Sequence, residues 1–303
     1  MTCTSKLRRL PADPHETVNR VCCTFVRRVV PYVYQPETID LLDTIGIVDD
    51  GTIYFASTAY AITGNEIWLA LDTFVIATKN VFGLTLGSST LQNQFKFIYP
   101  RIGGTATAHK YNLVDTTTFE GIFSGGWTHD GSGALPNGTN AYMDTQCAYT
   151  GTNFTQNSQS FGFDSKTNAN ALYADFGAAN TGNADVNMYG RLSGNLNTRL
   201  GDAVGNSTSP TSDSLGVLSI NRVSATEYKQ YQEGTPVGTE TTNSTIFSGT
   251  PYNILEGATN NTGSPIQYSA RKRTLFFGGL GMTDQQMSDF VSAWNTFETT
   301  LNR

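Results

Sequence analysis

Three histidines, four cysteines and a scatter of carboxylates are the side chains of this 303-residue chain with the most reach for chemistry. His15, His109 and His129 stand far apart. None has a second ligand type at i+2 or i+4, the spacings by which a strand or helix offers two donors to one metal ion. The same scarcity argues against a Ser-His-Asp or Cys-His mechanism, which needs a base beside the nucleophile and a third group to orient it. His109 beside Lys110, and His129 beside Asp130, read as loop or core-edge histidines. Glycoside hydrolysis needs two carboxyl groups across the sugar, and on a strand these would fall at i and i+2 or i+4. No Glu-x-Asp-x-Glu string occurs; Glu120, Glu227, Glu233, Glu240 and Glu256 stand singly and read as solvated charges. Gly103-Gly104, Gly125-Gly126, Gly131 with Gly133, and Gly278-Gly279 lack the Lys-Ser/Thr of a phosphate loop and the dinucleotide spacing, so they read as turn or bulge formers. The residues therefore assign no catalytic group, no metal ligand set and no cofactor, and the chain is not expected to be an enzyme.

The elements that would position a binding site are mostly strands. Charged residues make up 15% of the chain, against roughly 25% in an average globular protein, and Gly, Ser, Thr and Asn are abundant. Aromatic residues at 11% supply core formers that a disordered chain lacks. From about Phe95 onward, side chains alternate with period two: Phe161 with Phe163, then Leu172, Ala174 and Phe176, then Val186, Met188 and Gly190. Asn180-Thr181-Gly182-Asn183 reads as a hairpin turn between the last two sets. Leu218 and Ile220, Glu227–Gln232 before the Glu233-Gly234 turn, Ile254, and Leu275–Phe277 supply further strands, and a strand-like run covers Thr52–Ala56. So many short strands favour a sandwich or jelly roll, because each sheet must bury one face against another. Two capping boxes announce helices. Thr63 with Glu66 opens one carrying Ile67, Leu71, Phe74, Val75 and Thr78 through about Asn80, with Trp68 beside that face; Thr283 with Gln286 opens a terminal one carrying Met287, Phe290, Val291, Trp294, Phe297 and Leu301.

Charge divides the chain. Residues 1–35 hold six Lys/Arg against two acids, a net +4, which leaves −10 on residues 36–303. Pro11, Pro14, Pro31 and Pro36 bracket a short apolar and basic stretch, Val18 to Val30, that reads as an extended arm. Its Lys6, Arg8, Arg9, Arg20, Arg27 and Arg28 are suited to nucleic acid or to an acidic protein surface, whereas the acidic remainder argues against a main domain that binds nucleic acid. Cys3, Cys22, Cys23 and Cys147 show neither metal spacing nor the density of a disulfide scaffold and are expected to be free thiols made in a reducing cytoplasm. No secretion signal is read near the start, and no stretch approaches the roughly 20 apolar residues of a membrane span. The domain reading is an arm and linker over 1–50 and a sandwich with flanking helices over 51–303.

The run Phe97-Ile98-Tyr99-Pro100-Arg101-Ile102-Gly103-Gly104-Thr105-Ala106-Thr107-Ala108-His109, with Gly125-Gly126-Trp127-Thr128 and Pro136-Asn137-Gly138-Thr139-Asn140-Ala141-Tyr142, resembles a group of phage and prophage proteins with a laminin-G-like, concanavalin-A-like domain. An upstream Thr63-Gly64-Asn65-Glu66-Ile67-Trp68 and a closing helix ending at Arg303 are similar to that group as well, so the resemblance spans about residues 51–303. It implies a concanavalin-A-like β-sandwich, a structural role in the virion as capsid decoration, head fibre or tail component, and manufacture in the host bacterial cytoplasm. It carries no catalytic residues to transfer. The expected partners are other virion proteins, whether capsid, portal or tail, held through residues 1–35, with self-association into a homo-oligomer. The alternative is a carbohydrate-binding adhesin that contacts host or mucosal glycans through Tyr, Trp and Asn side chains, and a glycosidase ranks third for want of paired carboxylates.

Overall fold

Alternation in Gln159–Ser165 does more than separate core from solvent. Phe161 and Phe163 face one apolar layer while Asp164 on the opposite face accepts the Trp294 indole N–H at 2.9 Å, so every residue of the strand is buried. The strand is sandwiched between a second sheet and a helical layer. The computed structural model describes residues 33–49, 53–56, 61–87, 90–179, 185–202, 206–245, 247 and 249–303. The arm residues Arg8, Arg9, Arg20, Arg27 and Arg28, together with Lys6, His15, Cys3, Cys22, Cys23 and the Asn180–Asn183 turn, lie outside the described residues.

Among the described residues the chain is mainly β, a two-sheet sandwich of jelly-roll type with flanking helices. The smaller sheet runs, in order, β15 (Thr235–Thr241), β14 (Glu227–Gln232), β13 (Gly216–Arg222), β8 (Gln159–Ser165), β19 (Arg273–Gly279), β6 (Gly133–Pro136) and β5 (Trp127–Asp130), and β3 (Phe95–Tyr99) also pairs with β19. The larger sheet runs β12 (Ser207–Pro210), β11 (Asn195–Asp202), β10 (Asp185–Leu192), β9 (Phe176–Ala179), β16 (Asn253–Glu256), β7 (Tyr142–Ala148) and β4 (Ile122–Ser124), with a hairpin of β17 (Thr259–Asn261) and β18 (Ser264–Ile266) joined to it. Pairing is antiparallel except where β17 runs parallel to β9. β1 (Ile53–Ala56) and β2 (Ala61–Thr63) make a separate two-stranded ribbon. The helices are α1 (Pro36–Ile45), α2 (Gly64–Val81), α3 (Ala106–His109) and α4 (Asp284–Thr300).

Two apolar clusters hold these layers. Between the sheets lie Phe97, Phe161, Phe163, Phe176, Val186, Met188, Leu196, Leu218, Ile254 and Phe276. Behind the smaller sheet, α1, α2 and α4 close over Phe95, Val217, Leu275 and Phe277, with Phe74 edge-on to Trp294 at 5.4 Å. Both capping boxes exist: Glu66 accepts the Thr63 N–H at 2.8 Å, and Thr283 and Gln286 exchange bonds at 3.1 and 2.9 Å. No helix among the described residues is long and apolar enough to cross a membrane.

Some expectations need correction. Leu172 is exposed and precedes the strand expected there, which begins only at Phe176; Ala174 makes an isolated bridge to Tyr268. Gly278-Gly279 ends β19 and meets the bulge half of its reading, with a bulge-type shift of register against β3 between the two residues; a Cβ on Gly278 would lie 2.6 Å from the Phe97 ring and 2.7 Å from Phe161, so the missing side chain lets aromatic rings close over the sheet. Trp127 is half-buried at the sheet rim and packs against the cluster between the sheets. Helix α1 occupies a stretch to which the sequence reading gave no element; Pro36 opens it and Gly46 ends it in the left-handed conformation, φ 74°.

Candidate functional site

The family-like segments converge on one corner of the sandwich. Gly125 and Gly126 have no Cβ because Asn140 and Asn137 lie against them; Asn137 Oδ1 accepts the N–H groups of Thr139, Asn140 and Ala141 at 3.0 to 3.2 Å, and Asn140 Oδ1 accepts the Gly126 N–H at 3.3 Å. These asparagines fasten two loops together, so the motif is architectural.

Beneath them, Arg101 follows β3 at a positive φ of 46° and is fully buried. Its guanidinium ion-pairs with Glu256 from the larger sheet and donates to the His109 carbonyl. Arg273 of the smaller sheet lies 3.8 Å from the other Glu256 oxygen and bonds Asp175 at 3.1 Å, and Arg271 bonds Asp175 at 2.7 Å. All five side chains are inaccessible to solvent. Three guanidinium groups thus share two carboxylates across the gap between the sheets. Burial pulls the Arg101 and Arg273 pKa values down, with Glu256 opposing it in both. The sequence reading of Glu256 as a solvated charge is therefore overturned. Glu120 does behave as expected, half-exposed in an ion pair with Lys110.

His109 and His129 face each other through Nδ1 atoms 3.0 Å apart, and neither Nε2 has a partner. One Nδ1 must donate and the other accept, so the pair holds only while at least one ring is neutral. Burial, then the positive charge of Arg101, holds His109 well below its ordinary 6.5, with His129, Arg303 and Lys272 acting in the same direction. The same two causes bring His129 down to about 4 against the pull of Asp130. A histidine whose folded pKa is depressed contributes stability that is complete above about 6.5 and is lost as pH falls toward about 4, because the unfolded chain takes up protons first. The thermal midpoint is expected to fall across that window, and a His109→Gln/His129→Gln double variant, followed by circular dichroism, is expected to flatten the slope.

The solvent side of the larger sheet is different in kind. Val186 and Met188 point inward, so Asp185, Asn187, Tyr189 and Arg191 of β10 point out, and Asn195, Asn197 and Arg199 of β11 join them. Arg199 pairs with Asp185. Gly177 of β9 lets the β17–β18 hairpin lie close: a Cβ there would sit 2.9 Å from Thr259 Oγ1 and 3.0 Å from Asn187 Cβ. Just beyond the hairpin, Gln267 accepts the Tyr189 hydroxyl at 2.7 Å. The result is a polar shelf with amides, a phenol and a neutralised ion pair on its floor and the hairpin along one side, and that floor is largely covered, with Asp185, Tyr189 and Asn197 only 9%, 5% and 8% exposed. On that floor Asn187 is 7% exposed and its Oδ1 has no hydrogen-bond partner. The sequence reading did not single out these residues, although placing Val186 and Met188 in the core already implied that Asn187 points away from it.

Among the described residues no three His, Cys, Asp or Glu side chains are grouped to hold a metal ion, and Cys147 is a buried free thiol whose pKa burial raises to about 12. No family model and no curated protein matches the chain. Among solved structures it is similar to the NanB sialidase of Streptococcus pneumoniae, at 21% identity and a TM-score of 0.37 over 45% of this chain and 24% of the sialidase. It is also similar to domain 4 of AbnA, an extracellular arabinanase of Geobacillus stearothermophilus, at 14% identity and 0.40 over 65% of this chain and 98% of that domain. A third likeness is to the botulinum neurotoxin serotype D binding domain, at 12% identity and 0.46 over 66% and 51%. The chain thus spans about a quarter of the length of the sialidase it matches.

Proposed function

We propose that the chain is a non-catalytic carbohydrate-binding sandwich that holds a neutral glycan on the polar shelf of its larger sheet. The observation that carries this reading is the unpartnered Asn187 Oδ1 on the shelf floor. A buried amide oxygen without a donor is costly, and a sugar hydroxyl that reached it as the hairpin shifted aside would supply one. Strand spacing of about 4.8 Å, and about 6.8 Å between same-side residues along a strand, spreads Asn187, Tyr189 and Asn197 over about the width of one pyranose ring. Charge selects the class. Residues 36–303 carry −10, Arg199 is paired with Asp185, and Arg191 on the same face bonds the Asn168 side-chain oxygen at 3.5 Å, so the net field disfavours an anionic sugar although Arg191 offers it a cation. Asp175 and Glu256, the carboxylates between the sheets, are locked against arginines out of reach of a substrate, which supports binding over hydrolysis. A screen of immobilised glycans tests the reading: neutral oligosaccharides should be retained with little dependence on salt, and retention of acidic glycans alone, or of none, overturns it.

A second reading concerns the setting. The resemblance of residues 97–145 to phage structural domains supports display on a virion, with Arg8, Arg9, Arg20, Arg27 and Arg28 anchoring the chain to another particle protein. Mass spectrometry of purified particles checks it, since absence of the chain contradicts this role while leaving glycan binding untouched.

A further inference from the structure

Lys79, on α2, is 1% exposed, and its Nζ lies 2.8 Å from Glu37 Oε2 and 3.2 Å from the side-chain oxygen of Gln35. Gln35 precedes α1 and Glu37 sits in its first turn; both are buried. The Gln35 oxygen also accepts the Gly87 N–H at 3.0 Å, and Glu37 Oε1 accepts the Leu91 N–H at 3.1 Å. A primary amine, a primary amide and a carboxylate thus meet out of water, with the amide carbonyl polarised by a backbone donor. Since a C=O bond is about 1.23 Å, the amine nitrogen is at most about 4.4 Å from the amide carbon, within reach of a near-attack distance after a small side-chain rotation.

We propose that Lys79 and Gln35 join in an intramolecular isopeptide bond, with Glu37 as the proton carrier. Glu37 takes a proton from the ammonium, and the freed Nζ lone pair attacks Gln35 Cδ. The carbonyl electron pair moves onto the oxygen, where the Gly87 N–H stabilises it. Collapse of this adduct breaks the Cδ–Nε2 bond. Two of the three Nζ protons pass through Glu37 to the departing nitrogen, which leaves as ammonium, so Glu37 ends as the carboxylate it was. A primary amide and an amine become a secondary amide and ammonia, with no oxidant or cofactor. The product ties α1 to α2 and closes residues 35–79 into a covalent loop.

Intact mass spectrometry of the full chain tests this. The expected mass is lower than the sequence mass by one ammonia, about 17 Da. Proteolysis should then yield a branched peptide containing Gln35 and Lys79, and Lys79→Arg should restore the full mass. Because an asparagine succinimide loses the same mass, the branched peptide decides the matter. Recovery of Gln35 and Lys79 in separate linear peptides from the wild-type chain overturns the proposal, whatever the variant does.

Discussion

Replacing Glu256 by alanine is expected to destabilise the protein by about 3–5 kcal/mol, the scale on which a buried ion pair fails when one partner is removed. The size follows from what remains. Arg101 and Arg273 are fully buried, Arg101 keeps only the His109 carbonyl as a strong acceptor, and no water reaches either group to replace the lost charge. A domain of this kind is stable by about 5–15 kcal/mol in total, so the loss is a large fraction of the whole. A shift in the denaturant midpoint measures it. Glu256→Gln should cost less, because the amide keeps an oxygen for the guanidinium, and adding Arg101→Met to Glu256→Ala should recover part of the loss by removing one stranded charge. An effect below about 1 kcal/mol for Glu256→Ala would mean that the ladder of arginines does not pin the sheets.

Asn187→Ala should do the opposite: it should leave the unfolding midpoint unchanged and weaken glycan binding by about tenfold or more, the loss expected when a buried hydrogen bond is deleted. In the free protein the Asn187 Oδ1 has no partner to lose, so truncation removes a cost as well as a few contacts. Within the complex the same oxygen would receive a sugar hydroxyl, and its removal leaves that hydroxyl unpaired. Calorimetric titration of wild type and variant with one neutral oligosaccharide gives both affinities. A variant that binds as well as wild type moves the site off this shelf.

How much of this was legible in sequence depends on how far apart the cooperating residues lie. Local codes read well: Thr63 with Glu66 and Thr283 with Gln286 each fix a helix start within four residues, and Phe161 with Phe163 declares a strand face by period two. Leu172 misled because alternation continues through a loop that carries no ladder, while the strand waits for Phe176. Glu256 misled for a different reason: its partners are 155 residues away at Arg101 and 17 away at Arg273, on another strand, and nothing in its neighbours records that both would be brought to it. The His109–His129 contact and the meeting of Lys79 with Glu37 and Gln35 are likewise products of topology. The shelf was half-legible, since an inward Val186 and Met188 force Asn187 and Tyr189 outward, but only the β17–β18 hairpin turns a polar face into a site.

The central claim, that a neutral glycan rests on the outer face of the larger sheet, is met most directly by nuclear magnetic resonance titration of the isotopically labelled protein with an oligosaccharide retained in the screen. The predicted result is a saturable set of amide and side-chain shifts confined to β10, β11 and the β17–β18 hairpin, with the Asn187 side-chain amide among the largest. Shifts clustered instead on α2 and α4, or no saturable change at millimolar sugar, would contradict it.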